Sequence, residues 1–112
     1  MRIRTETTEH TQADVELAGR FDAHEVPEFR ASVDGLIAGG HTDLWIDLGN
    51  VVFIDSTALA ELVRLSREVG ETGRLRLGPV SDPVRVILEL TALLPVFEVE
   101  DGPRPRAGAG GS

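Results

Sequence analysis

Between Asp43 and Gly49 the side chains alternate without a fault. Leu44, Ile46 and Leu48 fall on one side, and Trp45 and Asp47 fall on the other. A period of two is satisfied by an extended strand, whose successive side chains point to opposite faces. The alternation also limits what can lie around that strand. Parallel strands covered on both faces read as continuous apolar runs, so a strand with one polar side belongs to a sheet with a single covered face. Arg74 to Leu77 repeats the pattern, with Leu75 and Leu77 opposed to Arg74 and Arg76.

The flanking segments have the other period. Val26, Phe29, Val33, Leu36 and Ile37 recur at i, i+3, i+7, i+10 and i+11, which predicts an amphipathic helix. Pro27 suits its first turn, and Gly39-Gly40 suits its end. Val51 to Ile54 reads as a short buried continuation of the central strand. A second helix is expected from Ser56, with Leu59, Leu62, Val63, Ser66 and Val69 on one face and Gly70 and Gly73 beyond it. Pro83 opens a third helix carrying Val84, Ile87, Leu88 and Leu94, widened by Leu90 and Leu93 and stopped by Pro95. Val96 to Glu100 suits a last short strand. At the N-terminus Arg2 to Thr5 begin a strand, His10 to Gln12 form a polar turn, and Asp14 to Ala18 alternate again, closed by Gly19 to Asp22. That connection is too short for a crossover, so the first two strands should pair as an antiparallel hairpin.

The order is therefore β-β-α-β-α-β-α-β, an α/β fold with a mixed sheet of four to five strands. Right-handed crossovers between sequential neighbours place the helices mainly on one face. A length of 112 residues, 41% of them apolar, suits one domain. We place it at residues 1–101. Gly102 to Ser112 (GPRPRAGAGGS) has no apolar periodicity and is expected to be a flexible tail. Arg104 and Arg106 lie in that tail, so residues 1–101 set nine Arg against nineteen acidic residues, a net charge of −10. An acidic domain of this kind is a poor match for nucleic acid or an anionic membrane, which select basic patches. No apolar run approaches the ~20 residues of a membrane span, and a cytoplasmic location is expected. The absence of Cys removes disulfides, thiolate zinc sites and Cys nucleophiles together.

Function in such a fold gathers at the carboxyl ends of the parallel strands. Two loops arrive there. One holds Phe21, Asp22, Ala23 and His24, and the other runs Phe53-Ile54-Asp55-Ser56-Thr57-Ala58-Leu59. Ser56 is expected at the N-cap of the second helix, with its hydroxyl turned to a backbone N–H of the first turn. An exposed hydroxyl there can act as a cap alone, or as an acceptor of phosphate, which brings about −1.5 to −2 charges and three acceptor oxygens. Asp55 and Asp22 would repel that charge. Thr57 is a second candidate acceptor. Asp22 and Asp55 could also be read as an acid–base pair, and His24 as a general base beside Ser56, but no Gly-x-Ser-x-Gly elbow is present. His10, His24 and His41 have no metal-like spacing.

Ile54-Asp55-Ser56-Thr57-Ala58-Leu59 resembles the signature of the STAS domain, found in bacterial anti-sigma factor antagonists. Leu17-Ala18-Gly19-Arg20-Phe21-Asp22 resembles the end of that family's second strand. Val80 to Leu93 resembles its last long helix and approach, and Leu94-Pro95-Val96-Phe97 its return to the terminal strand. The resemblance covers about residues 2 to 100. It implies that an ATP-dependent anti-sigma factor serine kinase phosphorylates Ser56. It also implies that the unphosphorylated chain binds this kinase and frees the sigma factor, and that a separate phosphatase resets the switch. ATP and magnesium would belong to the kinase, so no cofactor is expected here. The partner-binding set would be Asp22, His24, Asp55, Ser56, Thr57, Ala58 and Glu61, with Arg64 and Glu68 along the exposed side of the second helix. The chain would be a monomer or weak dimer. The other use of the domain, an unphosphorylated adaptor in a lipid-transport or sensory complex, stays open. Ala58 and Ala92 stand where the family commonly has Gly, and both are read as helical alanines that leave the fold intact.

Overall fold

The computed structural model describes residues 1–8 and 10–102. Beyond Gly102, the expected tail lies outside the described residues. The elements are β1 (Arg2–Thr7), β2 (Gln12–Phe21), α1 (Val26–Ala38), β3 (Asp43–Ile54), α2 (Ser56–Val69), β4 (Arg74–Val80), α3 (Asp82–Leu90), a 3₁₀ turn (Leu94–Val96) and β5 (Glu98–Val99). They form one five-stranded sheet in the order β1-β2-β3-β4-β5. β1 pairs antiparallel with β2, and the other neighbours are parallel. This is the mixed sheet that the alternating strands predict.

The alternation sorts the two faces as expected. Ala13, Val15 and Leu17 of β2, Leu44, Ile46 and Leu48 of β3, and Leu75 and Leu77 of β4 are buried on one side. They share a single core with Phe29 and Val33 of α1, Leu62 and Leu65 of α2, and Val84 and Leu88 of α3. Phe21, at the end of β2, meets Phe29 with ring centroids 4.9 Å apart in a tilted pair, a geometry that matches the positive edge of one ring to the negative face of the other. On the opposite face Trp45 is buried, more fully than a sheet with a single covered face implies. The Arg76 guanidinium lies over its ring at 5.1 Å, and Gly78 leaves space for the indole that any Cβ would fill.

The structure corrects the sequence reading at two further places. β3 runs on to Ile54, and its last residues are not all buried: Val52 is 65% exposed and Phe53 37% exposed. Gly19 pairs with Val51 and Arg20 with Phe53, so Val52 is the extra residue of a bulge. A bulge re-aims side chains that alternation would send inward. Phe53 then receives the Arg20 guanidinium, 4.1 Å from its ring centroid.

The third helix is also shorter than its apolar stripe suggests. It ends at Leu90, which is exposed, and Ala92 lies outside it with φ +58°. The Leu93 N–H donates to the Leu88 carbonyl at 2.9 Å and the Ala92 N–H to the Glu89 carbonyl at 3.1 Å. These two bonds are the Schellman arrangement, which places its pivotal residue in the left-handed region where Gly is favoured. Ala92 is therefore no helical alanine.

Candidate functional site

β2 and β3 are parallel neighbours whose ends coincide, Phe21 opposite Ile54. The loops that leave them must therefore touch. Asp55 joins them. Its carboxylate accepts the Ala58 N–H at 2.8 Å through Oδ1 and the Ala23 N–H at 2.9 Å through Oδ2. Its own N–H donates to the Phe21 carbonyl at 3.3 Å. Asp55 is the N-cap of α2, with extended backbone (φ −106°, ψ 176°). The expectation that Ser56 fills that position is corrected: Ser56 is the first helical residue. The reason lies in the backbone. The extended residue ahead of the helix points its side chain back at the orphan N–H groups, and Asp is among the best residues for that task.

The Ala58 N–H bond holds the Asp55 carboxyl below its ordinary value of 3.8, against a smaller opposing effect of desolvation and with help from Ala23, Thr57 and Arg20. Asp55 is consequently a fixed anion near neutral pH, occupied by two backbone donors. Asp22 builds the facing loop. Its Oδ1 accepts the His24 N–H at 3.0 Å, and its carbonyl accepts from Glu25 and Val26 to start α1. Arg20 Nε stands 3.7 Å from Asp22 Oδ2. Both carboxylates thus organise backbone, and His24 is exposed beside them.

Ser56 and Thr57 are both exposed. They differ in what lies beneath them. Ser56 sits at one end of an open groove of about 440 Å³, lined also by Leu59, Ala60, Val63, Arg64, Arg67 and Leu93. Thr57 does not line it. The groove is apolar along α2, closed on the other side by the turn after α3, and flanked by arginines at its far end. Leu93 and Arg67 were not anticipated as site residues, because the first was assigned to a continuing helix and the second carries no motif.

Two members of the expected partner-binding set lie elsewhere. Ala58 is fully buried, so its methyl group faces the core and no partner. Glu61 is only 2% exposed. Its Oε1 accepts from Arg30 Nη2 at 2.7 Å and its Oε2 from Arg64 Nη2 at 2.6 Å, and Arg64 reaches on to Asp34 at 3.1 Å. Burial raises the Glu61 carboxyl pKa, yet the hydrogen bonds from Arg64 and Arg30 outweigh that effect and hold it low. Glu61 therefore ties α2 to α1. A buried charge is tolerated when it is paired and fully hydrogen-bonded. His10 and His41 line a separate recess with Thr7 and Thr8 at the opposite end of the sheet.

Comparison with known proteins bears on this arrangement. Residues 2–103 match the STAS domain. An anti-sigma-B factor antagonist of Staphylococcus aureus is 28% identical over 104 residues, spanning 91% of this chain and 96% of that protein. The anti-sigma factor antagonist SpoIIAA in its unphosphorylated form superposes with a TM-score of 0.76 at 24% identity, over 88% of this chain and 87% of that one. The phosphorylated form of the Bacillus cell fate determinant SpoIIAA gives 0.70 at 23%, over 88% and 90%. Among the described residues, no helix is long and apolar enough to cross a membrane.

Proposed function

Because the chain belongs to the STAS domain family, we propose that it is an anti-sigma factor antagonist switched by phosphorylation of Ser56. In this reading the unphosphorylated chain binds an anti-sigma factor serine kinase and so releases a sigma factor. Transfer of the ATP γ-phosphoryl group to Ser56 Oγ ends that binding, and a phosphatase restores it. ATP and magnesium are bound by the kinase, and this chain serves as its substrate in the cytoplasm.

One observation carries the proposal. Ser56 is the exposed hydroxyl of the first helical turn that also opens onto an apolar groove, directly after an Asp whose carboxylate is already occupied by backbone donors. That occupation matters. Asp55 cannot swing away to make room for a second anion without uncapping α2 and releasing the Ala23 loop. A phosphate on Ser56 is stabilised by the positive end of the helix and repelled by Asp55 and Asp22. The fold persists, while the potential and shape of the groove mouth change. The partner surface follows as Asp22, His24, Ser56 and Thr57 with the groove walls Leu59, Ala60, Val63 and Leu93. Glu61, Ala58 and the Asp55 carboxylate support it from below. SpoIIAA, a neighbour in fold, is known in both phosphorylated and unphosphorylated forms, which supports the reading.

The test is direct. Incubation with the cognate kinase and ATP should place phosphate on the Ser56 peptide, read by mass spectrometry, with none on Thr57. S56A should retain binding in calorimetry, and S56D should lose it. Equal affinity of the two variants overturns the switch. An unmodified Ser56 peptide would favour the unphosphorylated adaptor instead.

A further inference from the structure

The two edges of the sheet are unlike. β5 has two residues, too short to template another strand. β1 has six, in unbroken register with β2 from Arg2 to Thr7. Among the described residues no strand pairs with its outer side. Long edges are ordinarily blunted by Pro, a bulge, a cover or repelling charges. β1 has no Pro and no bulge, and five of its six residues are exposed. It does carry charges, but of both signs.

Their spacing favours self-pairing. In a two-fold antiparallel pair of β1 strands, opposed residues share a face, so the axis must pass through a residue. An axis at Thr5 sets Arg4 opposite Glu6 of the second copy, twice, with Ile3 opposite Thr7 and Arg2 opposite Thr8. An axis at Arg4 stacks Arg4 on its own copy, and an axis at Glu6 does the same with Glu6. Opposite charges directly across a strand pair stabilise it and like charges destabilise it. An axis at Ile3 sets Arg2 opposite Arg4, so of the four registers that overlap at least half of the strand only the one centred on Thr5 lacks a like-charge pair. Within one chain, Glu6 stands directly across from Asp14, and Arg4 across from Glu16. In the register centred on Thr5, Arg4 of a second copy would arrive beside the Glu6–Asp14 pair.

We propose that β1 is a homodimer edge. Two copies would join antiparallel about Thr5 to make one continuous ten-stranded sheet, with both helical layers on the same face and the Ser56 groove of each copy left open. A strand edge buries little area, so the association is weak and concentration-dependent.

Sedimentation from about 10 μM to about 1 mM should show a monomer–dimer equilibrium for the full chain. R4E and E6R should each raise the dissociation constant by about tenfold or more, because each places like charges across the interface twice. The double variant R4E/E6R should return it to within about threefold of the parent. Circular dichroism confirms that each variant is folded, which exposed positions permit. T5C introduces the single thiol of a Cys-free chain at the axis, where directly opposed Cα atoms lie about 4.5–5.5 Å apart, within disulfide reach. Mild oxidation should therefore link T5C into a dimer and leave T7C, which faces Ile3, unlinked. A chain that stays monomeric at the top concentration overturns the proposal. So do a double variant as weak as the single ones, and equal cross-linking of T5C and T7C.

Discussion

The groove beside Ser56 has two walls of different construction. The start of α2 is fixed by a side chain: Asp55 accepts from Ala58 and Ala23 and clamps two loops at once. The end of α3, which delivers Leu93 to the other wall, is fixed chiefly by backbone bonds around an Ala held at φ +58°, with the Thr91 hydroxyl donating to the Ile87 carbonyl at 2.6 Å. The first wall lies at its conformational optimum. The second carries strain, because an L-residue in the left-handed region brings its Cβ close to its own carbonyl at a cost of about 1 kcal/mol or more. Beneath the exposed Ser56 the chain supplies a charged cap. Where the wall must turn sharply, it accepts a less favourable residue.

Breaking the stronger wall should have the larger effect. Asp55→Ala removes an N-cap, commonly worth about 1 kcal/mol, and a second charge-assisted bond to the Ala23 N–H, so a loss of about 2 kcal/mol is expected. For a domain of this size that lowers Tm by roughly 8 °C in a thermal melt. The same variant has a pH signature. Asp55 and Glu61 both have folded pKa values below their ordinary 3.8 and 4.5. Their contributions are complete above the unfolded carboxylate range and disappear as pH falls through the depressed folded values. D55A should therefore unfold over a shallower acid limb than the parent, while the two chains differ by a constant amount from pH 6 to 8. A parallel loss at every pH would mean that the cap acts through shape alone.

Repairing the weaker wall should have a smaller effect of opposite sign. Ala92→Gly relieves the left-handed strain but adds freedom to the unfolded chain, leaving a net gain of about 0.5–1 kcal/mol and a Tm higher by about 3 °C. A variant no more stable than the parent would show that the turn is not strained in solution, and the contrast between the walls would fail.

The two walls also differ in how far the residues announce them. Alternation at Leu44, Ile46 and Leu48 settles a strand because the period follows from extended geometry and one covered face. Asp-Ser-Thr ahead of an apolar stripe settles a helix start, although it leaves open which residue caps, since Asp and Ser are nearly equal in that role. The end of α3 is hidden for a related reason. Leu90, Leu93 and Leu94 continue the stripe, and Ala92 is the best of helix formers, so every local preference points past the true end. The turn is imposed by tertiary contact, with Leu93 packed back on the core. Glu61 is misplaced similarly. A charged residue predicts exposure unless paired, and its partners, Arg30 thirty-one residues away and Arg64, meet it only when α1 and α2 are side by side. Val52 and Phe53 read as buried because a bulge leaves no trace in an apolar run.

The smallest expected effect separates the platform from what stands on it. Ser56 is the first residue of α2, exposed, with the capping done by its neighbour. Ser56→Ala replaces it with the strongest helix former and removes no cap, so stability should change by no more than about 0.5 kcal/mol in chemical denaturation. Had Ser56 been the cap, the same change would cost about 1 kcal/mol. The measurement thus tests the assignment of Asp55 as cap independently of any partner. It also governs how binding data are read. If S56A and S56D are both as stable as the parent, a difference between them toward the proposed kinase reports charge at the groove mouth and nothing about folding. A loss approaching that of D55A would instead place the serine hydroxyl within the cap, and the two walls would then be less unequal than their hydrogen bonds make them.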